Sequence, residues 1–320
     1  MRFKPIIIIA GEPNSVFLEI FLKIIKKNKF KSPIILICSK KILLKQSKAL
    51  RENIKINELD KNQIFNKKSK LNKLNLINVD YEQKKAFQKI SSKSNKYIKN
   101  CFDIALKILK NGISNKLING PISKENFLRN KYIGITEYLA EKTNTNNFAM
   151  VIYNKNLSVT PITTHEPLKY VSKKITQKKI IDKIKVINKF WKKHFKIKPK
   201  IAVTGLNPHC ESIDQINEDK KIILPAVKKI KKMKINIRGP FAADTIFTES
   251  NRNKFDIIVG MYHDQVLTPI KTLFEYNAIN ITVGLPFIRV SPDHGPNESM
   301  LGKKKSDITS LLNSMKFLDN

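Results

Sequence analysis

The sequence lacks any long apolar run and contains only three cysteines, Cys38, Cys101 and Cys210. No segment reaches the roughly 20 apolar residues that a membrane-spanning helix needs, so we expect no membrane partner. The start of the chain, residues 1–4, runs directly into a predicted strand that is too short for the apolar core of a signal peptide. An odd number of widely spaced cysteines argues against a disulfide framework, and we therefore expect a cytoplasmic location.

Glycine is also scarce, and its spacing excludes one kind of cofactor site. The chain has ten glycines, and no two of them are separated by a single residue. The Gly-x-Gly loop that cradles the pyrophosphate in a Rossmann fold is therefore absent. A nicotinamide cofactor would need a different binding mode.

Arginine is rare in a chain that is otherwise strongly basic. The formal net charge is +35, yet only six of the 61 basic residues are Arg and the rest are Lys. Specific recognition of phosphates and bases favours the bidentate Arg fork. The lysines are also spread over every predicted helix instead of forming one patch, so we expect no specific nucleic-acid partner.

Short apolar runs alternate with helical patterns, which indicates an α/β fold with parallel strands. The polar stretch 52–71 is expected to be a loop with a weak strand. The predicted strands are Ile6–Ala10, Ile34–Cys38, Leu74–Val79, Lys116–Asn119, Phe148–Tyr153, Leu157–Ile162, Ile201–Thr204, Ile257–Val259 and Ile279–Val283, and the predicted helices are Ser15–Lys27, Phe87–Lys110, Ser172–Phe195, Asp219–Lys232 and Ser306–Phe317.

Three of the five histidines, His165, His209 and His263, each follow a β-branched apolar run and a short turn. Such turns meet at the carboxyl edge of a parallel sheet, so the three imidazoles predict a metal site with one position open for water or substrate. Their wide separation excludes a zinc finger. The alternative for each is a hydrogen-bonded or capping histidine, and Cys210 is either a fourth ligand or a small packed residue. Zn2+ suits three imidazoles best, and Mg2+, Mn2+ and Co2+ are alternatives.

Groups suited to an anionic substrate follow the third histidine. Lys271, Asn280 and Arg289 supply an ammonium, an amide and a guanidinium. These groups form charge-assisted hydrogen bonds with phosphate or carboxylate. Arg289 could instead form a surface ion pair, but it follows an apolar segment that should hold it near a buried edge.

Nine short segments carry a resemblance to a known family. They are Gly11-Glu-Pro, Asn119-Gly-Pro-Ile-Ser-Lys124, Gly134-Ile-Thr-Glu137, Thr163-Thr-His-Glu-Pro-Leu168, Gly205-Leu-Asn-Pro-His209, Gly239-Pro-Phe-Ala-Ala-Asp-Thr245, Met261-Tyr-His-Asp-Gln265, Asn280-Ile-Thr-Val-Gly-Leu-Pro-Phe-Ile-Arg289 and Asp293-His-Gly295. In this order, across nearly the whole chain, they resemble the 4-hydroxythreonine-4-phosphate dehydrogenase family, the oxidoreductases of pyridoxal phosphate synthesis.

The resemblance implies a fold and an assembly. The family has two α/β/α lobes around a central cleft, similar to the isocitrate and isopropylmalate dehydrogenases, which also lack a Rossmann glycine loop. We place residues 1–125 and 288–320 in the first lobe, and residues 126–287, with the metal-ligand histidines, in the second. By the same resemblance the protein is a homodimer whose active sites are shared between subunits.

The resemblance also implies roles for individual residues. His165, His209 and His263 are the implied ligands of one divalent metal ion. The implied contacts to the phosphorylated substrate come from Thr136, Lys271, Asn280 and Arg289. Two carboxylates, Asp244 and Asp264, are candidates for the general base, and either could equally orient a ligand imidazole.

The implied reaction is an oxidation that depends on NAD or NADP and on a divalent metal ion. It converts 4-phosphooxy-L-threonine to 2-amino-3-oxo-4-phosphooxybutanoate, which decarboxylates to 3-amino-2-oxopropyl phosphate, in pyridoxine 5'-phosphate biosynthesis. A metal ion lowers the pKa of a bound hydroxyl, which favours loss of its proton before hydride leaves.

The sequence departs from the family pattern in three turns. Ile135 stands where the family has a histidine, the segment after Gly11-Glu-Pro lacks the family's glycines, and Pro296-Asn297 replaces Thr-Ala. Two alternatives therefore stay open. One is a paralogous dehydrogenase of a 4-phosphorylated four-carbon sugar acid such as 4-phosphoerythronate or 4-phosphothreonate. The other is a degenerate homologue that binds metal without turnover.

Overall fold

The computed structural model describes residues 3–65, 71–128, 131–211 and 217–319, and strands and helices alternate along them, which confirms the predicted α/β class. The strands are β1 (Ile6–Ile9), β2 (Ile34–Cys38), β3 (Asn57–Glu58), β4 (Leu74–Asn78), β5 (Lys116–Asn119), β6 (Ala149–Tyr153), β7 (Ser158–Pro161), β8 (Ile201–Thr204), β9 (Ile237–Phe241), β10 (Ile257–Gly260), β11 (Ile279–Val283) and β12 (Ile288–Ser291). The helices are α1 (Phe17–Lys27), α2 (Lys40–Ala49), α3 (Lys61–Phe65), α4 (Asn95–Lys110), α5 (Ile135–Lys142), α6 (Val171–Lys174), α7 (Gln177–His194), α8 (Leu224–Lys232), α9 (Glu249–Arg252), α10 (His263–Phe274) and α11 (Thr309–Asp319).

The nine predicted strands are confirmed to within one residue at each end. The weak strand expected in 52–71 is β3, although residues 66–70 of that stretch lie outside the described residues. The sequence missed β9 and β12. The strand β9 reads Ile-Arg-Gly-Pro-Phe, which has neither alternation nor a β-branched run.

Two predicted helices were too long. The helix predicted from Phe87 begins only at α4, because side chains elsewhere bind the backbone before it: Asn14 Oδ1 accepts from Gln88 N at 2.9 Å, and Glu298 Oε1 accepts from Ile90 N at 2.6 Å. The helix predicted from Ser172 is two helices, because Ile175 is extended and Thr176 caps the start of α7.

The other predicted helices need smaller corrections. Those predicted from Ser15 and from Ser306 begin two and three residues later, at Phe17 and Thr309. The one predicted from Asp219 starts with a π-helical turn before α8. Among the helices that were not predicted, α2 buries Gln46 and Ser47 on its inner face, so its apolar stripe is incomplete. Among the described helices, none is long and apolar enough to cross a membrane.

The chain divides into two compact units. Unit 1 comprises residues 1–137 and 286–320, and unit 2 comprises residues 138–285. The sequence-based lobe boundaries were 125/126 and 287/288, whereas the two units divide at 137/138 and 285/286. The first sequence-based boundary therefore lies earlier in the chain than the corresponding division.

Unit 1 contains a parallel sheet in the order β3-β4-β2-β1-β5-β12. Its central strands are nearly continuous runs of Ile and Leu, as expected for parallel strands covered on both faces, and β1 and β2 are fully buried. The helices α4 and α11 pack against this sheet.

Unit 2 contains a mixed sheet in the order β11-β6-β7-β10-β8-β9. The strand β6 is antiparallel to both of its neighbours, while β7, β10, β8 and β9 are parallel. Val159 of β7 and Ile258 of β10 pack with Val266 and Ile270 of α10 in one fully buried cluster. This cluster fixes the start of α10 at the carboxyl ends of the parallel strands.

Candidate active site

The three histidine turns follow strands that are neighbours in the sheet of unit 2. The strand β10 lies between β7 and β8 and is parallel to both. Their carboxyl ends therefore share one edge, and His165, His209 and His263 all follow that edge. The sequence-based prediction of a common edge is confirmed.

The structure brings two of these histidines into contact. The ring centroids of His165 and His263 are 5.5 Å apart, with an angle of 38° between the rings. The Nδ1 atom of His263 lies 2.6 Å from Asp264 Oδ1, so Nε2 is the ring nitrogen that this carboxylate does not engage. A carboxylate in this position orients a metal-binding imidazole and raises its basicity.

His209 lies on a separate turn. It is exposed, and both His209 and Cys210 have positive φ values, of 55° and 61°. Within the described ranges, no group of three His, Cys, Asp or Glu side chains is placed to hold a metal ion. Among the described residues, the rings of His165 and His263 meet, and His209 does not form a group of three with them. The chemistry of this pair fits two of the three imidazole ligands that a divalent ion would need.

A buried carboxylate holds the turn that carries His209. Asp219, only 1% exposed, accepts hydrogen bonds from Leu206 N at 2.8 Å, from Asn207 N at 3.1 Å and from Asn207 Nδ2 at 2.9 Å. A left-handed backbone costs roughly 1 to 2 kcal/mol per non-glycine residue, so the turn needs such an anchor. Sequence reasoning placed Asp219 at the start of a helix and missed this role.

Cys210 packs as a small side chain against Gly205 in the same turn. A Cβ atom at Gly205 would come within 2.7 Å of Cys210 Sγ. Burial raises the pKa of the Cys210 thiol, and the nearby carboxylates of Asp219 and Asp244 raise it further. Its close packing against Gly205 favours the interpretation of Cys210 as a small packed residue.

The two candidate bases differ in their surroundings. Asp264 is 78% exposed at its side chain and is bonded to His263. Asp244 is also exposed, lies after β9 and is close enough to act on the thiol of Cys210. Of the two, Asp264 therefore has the geometry that orients an imidazole.

A second cluster lies in unit 1 and is built around Arg289 on β12. Arg289 is 4% exposed, its Nε donates to Asn119 Oδ1 at 2.7 Å, and its Nη1 donates to Thr136 Oγ1 at 3.4 Å. Burial lowers the pKa of Arg289 to about 10, and the carboxylate of Glu137 opposes this shift. The guanidinium therefore stays charged at neutral pH. The alternative of a surface ion pair for Arg289 is wrong.

Asn119 and Glu137 were quoted in the sequence motifs without a role. Asn119 closes β5 next to Arg289 on β12, and Glu137 Oε2 is buried with no hydrogen-bond partner among the described residues. Both residues lie in segments that carry the family resemblance, Asn119 beside Gly120 and Glu137 beside Thr136. This shared membership is the sequence signal that could have singled them out.

The other two predicted substrate contacts belong to unit 2. Lys271 lies two helical turns after His263 on α10, roughly 12 Å along the helix axis. It is half-buried, and this burial lowers the pKa of its ammonium group. Asn280 lies on β11 opposite Ile152, and its Oδ1 has no hydrogen-bond partner among the described residues.

Ile135, which stands in place of the family histidine, is the first residue of α5. It is 8% exposed, next to Thr136 in the sequence. An apolar side chain therefore fills this position and adds no charge beside the Arg289 cluster.

Comparison with known proteins gives full-length matches. A sequence model of the family described as "Pyridoxal phosphate biosynthetic protein PdxA" matches residues 29–318. The 4-hydroxythreonine-4-phosphate dehydrogenase of Sulfurihydrogenibium sp. is 41% identical over 315 residues, covering 96% of this chain and 95% of that protein. The D-threonate 4-phosphate dehydrogenase of Salmonella typhimurium is 28% identical over 316 residues, covering 96% of each. The solved 4-hydroxythreonine-4-phosphate dehydrogenase of Klebsiella pneumoniae has a TM-score of 0.86 at 27% identity, covering 99% of this chain and 97% of that one.

Proposed function

Because the chain belongs to the PdxA family of pyridoxal phosphate biosynthetic proteins, we propose that it oxidises 4-phosphooxy-L-threonine to 2-amino-3-oxo-4-phosphooxybutanoate. The family resemblance inferred from the nine segments is confirmed, and the chain is an oxidoreductase of this family. The proposed cofactors are NAD or NADP and one divalent metal ion, with Zn2+ the best match to imidazole ligands. The keto acid product then loses CO2 to give 3-amino-2-oxopropyl phosphate.

The observation that carries the redox proposal is the contact of His165 with His263 at the edge of the unit 2 sheet. His165 and His263 would hold a divalent ion there, which would supply Lewis-acid chemistry for the substrate hydroxyl, and a nicotinamide would serve as the hydride acceptor. Asp264 holds the His263 ring at Nδ1, so Nε2 is the ring nitrogen proposed to bind the ion. Asp244 is the remaining candidate for the base that takes the hydroxyl proton.

The proposal for the phosphate group rests on Arg289. A guanidinium that is fully desolvated, held at Nε by Asn119 and bonded at Nη1 to Thr136 is fixed in orientation before substrate arrives. Charge-assisted bonds from such a fork are among the strongest that a phosphate can receive. Lys271 and Asn280 are the further proposed contacts to the substrate, and they would donate to it from Nζ and Nδ2.

A homodimer with shared sites is part of the same proposal. In one chain His165 meets His263, and His209 is not grouped with them in the described part of the structure. A catalytic metal site normally takes three protein ligands, so a ligand from the partner subunit would complete the set.

Oxidation of a 4-phosphorylated sugar acid is the second candidate. The buried Ile135 favours it, because a neutral hydroxyl in place of the substrate ammonium brings no charge that this apolar side chain would leave unmatched. The Salmonella typhimurium relative is named for such a substrate, D-threonate 4-phosphate, at 28% identity against 41% for the Sulfurihydrogenibium protein. The difference in identity supports the phosphothreonine substrate as the first choice.

The deciding experiment measures formation of NADH and NADPH by metal-depleted protein with each divalent ion added back in turn. The substrates are 4-phosphooxy-L-threonine, D-threonate 4-phosphate and 4-phosphoerythronate. Preference in kcat/KM for the first supports the proposal, and preference for a sugar acid supports the paralogue. No turnover with any substrate and any metal ion would point to the degenerate homologue.

The metal assignment has its own measurement. Metal content is determined for the purified protein and for His165→Ala, His209→Ala and His263→Ala. We expect one ion per site in the parent protein and a loss in each variant, because a catalytic site with two imidazoles binds far more weakly than one with three. Unchanged stoichiometry in all three variants would overturn the assignment.

A further inference from the structure

The side-chain amide of Gln265 joins the ends of two strands in the sheet of unit 2. Its Oε1 accepts from Met261 N at 2.6 Å and from Thr204 Oγ1 at 2.9 Å, and its Nε2 donates to Gly205 O at 2.8 Å. Met261 follows β10, Thr204 ends β8 and Gly205 follows it. One side chain thus connects the residue two positions before His263 with the strand end that leads to His209.

Met261 is also hydrogen-bonded to the third histidine turn, the one that carries His165. Met261 O accepts from Thr163 N at 3.1 Å and from Thr163 Oγ1 at 2.8 Å. Thr163 lies two residues before His165. Met261 is therefore held by the β7 turn on one side and, through Gln265, by the β8 turn on the other.

The two strand ends are closely packed at their glycines. A Cβ atom at Gly260 would lie 3.0 Å from Gln265 Oε1 and 2.3 Å from a methyl of Val266. A Cβ atom at Gly205 would lie 2.5 Å from Asp219 Oδ1. The contacts with Val266 and Asp219 are too close for a real side chain, so the packing around the Gln265 hydrogen bonds favours glycine at both positions.

We propose that Gln265 is a positioning residue that holds together the turns carrying His209 and His263, and thereby sets the affinity for a divalent metal ion of the sites to which these two turns contribute. This rests on the proposed function, because it takes the three histidines as metal ligands. Gln265 itself touches none of them. Partners behind metal ligands typically change metal affinity by 10- to 100-fold when they are removed.

A simpler role is that Gln265 only caps α10, since a Gln at the third helical position often bonds the backbone just before the helix. The two roles differ in what they predict. A cap stabilises the helix alone, whereas the bonds to Thr204 and Gly205 connect a different strand. The test must therefore separate metal affinity from stability.

The experiment compares Gln265→Met with Thr204→Val on metal-depleted protein. Methionine keeps the length of glutamine and removes all three hydrogen bonds, while valine keeps the shape of threonine and removes one. We expect the Kd for Zn2+, measured by competition titration, to rise about tenfold or more for Gln265→Met and by less for Thr204→Val. Amide hydrogen exchange without metal should also quicken at Leu206 and Asn207 in Gln265→Met.

Ser39→Ala is the matched control for stability. Ser39 Oγ accepts from Ile42 N at the start of α2 and donates to Tyr81 O, so this variant loses a helix cap in unit 1. It should lower Tm and leave the Kd for Zn2+ unchanged. A Kd for Gln265→Met within twofold of the parent value, or an equal rise in Ser39→Ala, would overturn the positioning role.

His263→Ala in the same titration separates this proposal from the proposed function. Loss of Zn2+ binding in His263→Ala, with no change in Gln265→Met, overturns only the role of Gln265. A parent protein that binds no Zn2+, or that binds it no better than His263→Ala, overturns the metal assignment and the role of Gln265 together.

Discussion

A buried guanidinium is costly unless its donors are matched, and Arg289 meets that requirement in an unusual way. Its Nε donates a hydrogen bond to a neutral amide, that of Asn119. The Oε2 atom of the nearby Glu137 carboxylate has no hydrogen-bond partner among the described residues. A neutral partner at Nε fixes the orientation of the guanidinium, and the nearby Glu137 carboxylate favours its charged form.

Replacing Arg289 by lysine should weaken substrate binding. The ammonium keeps the charge but loses the fork and the bond from Nε to Asn119. Loss of one charged hydrogen bond costs about 1.5 to 3 kcal/mol, so we expect KM for the phosphorylated substrate to rise roughly tenfold or more. The control is Arg51→Lys at an exposed position. Equal KM values in Arg289→Lys and in the control would contradict the role of Arg289.

Ile135→His tests whether the site has adapted to the missing histidine. Ile135 is buried, and the Arg289 cluster beside it is complete without an imidazole. A polar ring placed there lacks a matched partner, so we expect an unchanged or raised KM for 4-phosphooxy-L-threonine. The measurement is steady-state kinetics of both proteins. A tenfold fall in KM would instead mark this chain as a weakened version of the family enzyme.

Glu12 predicts a pH dependence of stability. Burial raises the pKa of its carboxyl above the usual 4.5, and hydrogen bonds from Ser94 and Asn14 only partly oppose this. A raised folded-state pKa gives stability that is complete below the unfolded value and is lost as the pH rises through the folded value. The stability of Glu12→Gln relative to the parent should therefore improve as the pH rises above about 5, as measured by denaturant unfolding.

The control for this pH series is Glu82→Gln. The hydrogen bond with Lys41 lowers the pKa of Glu82 below 4.5, so its ionisation is complete throughout the same window. The difference in stability between this variant and the parent should stay constant. A constant difference for Glu12→Gln as well would show that burial does not disfavour the charged Glu12 carboxylate.

At the scale of elements, the turns at the strand ends are the most constrained parts of unit 2. The turn after β8 combines two left-handed residues with three hydrogen bonds to one buried carboxylate. The turn after β10 passes directly into α10, whose inner face is packed in the unit 2 core. Regular strands thus fix where each turn begins, and single side chains fix its shape.

Asp219→Asn should loosen the His209 turn and destabilise the protein. The amide that replaces the carboxylate can accept hydrogen bonds at only one of its two atoms, so a buried donor on Leu206 or Asn207 loses its partner. The expected loss is about 1 to 3 kcal/mol in the free energy of unfolding. Asp103→Asn, at an exposed helical ion pair, should change it by less than about 0.5 kcal/mol. Comparable losses in the two variants would refute the anchoring role of Asp219.

At the scale of the whole molecule, the proposed site depends on which chain supplies each histidine. Mixing pairs of the variants His165→Ala, His209→Ala and His263→Ala tests this. If one ligand comes from the partner, half of the dimers in a refolded 1:1 mixture are mixed and each regains one site, about a quarter of the parent activity. Two variants whose ligands share a chain should not complement each other. A fully active monomer, or no recovery in any mixture, would contradict the shared site.

The sequence by itself determined the α/β class, nine of the strands and the shared edge of the three histidine turns. It could do so because buried parallel strands are continuous apolar runs, and because the carboxyl ends of parallel strands coincide whatever their exact packing. The motifs also determined the family, since a series of short matches in order does not depend on side-chain geometry.

Only the tertiary structure decided which of these residues meet. The contact between the rings of His165 and His263 depends on the shape of their turns, and the turn that leads to His209 is hydrogen-bonded to Asp219 and Gln265, which lie further along the chain. The burial of Arg289 and its bond to Asn119 likewise follow from the pairing of β12 with β5, between residues far apart in sequence. Local patterns carry no information about such long-range contacts, because side-chain hydrogen bonds form only after the strands have been brought together.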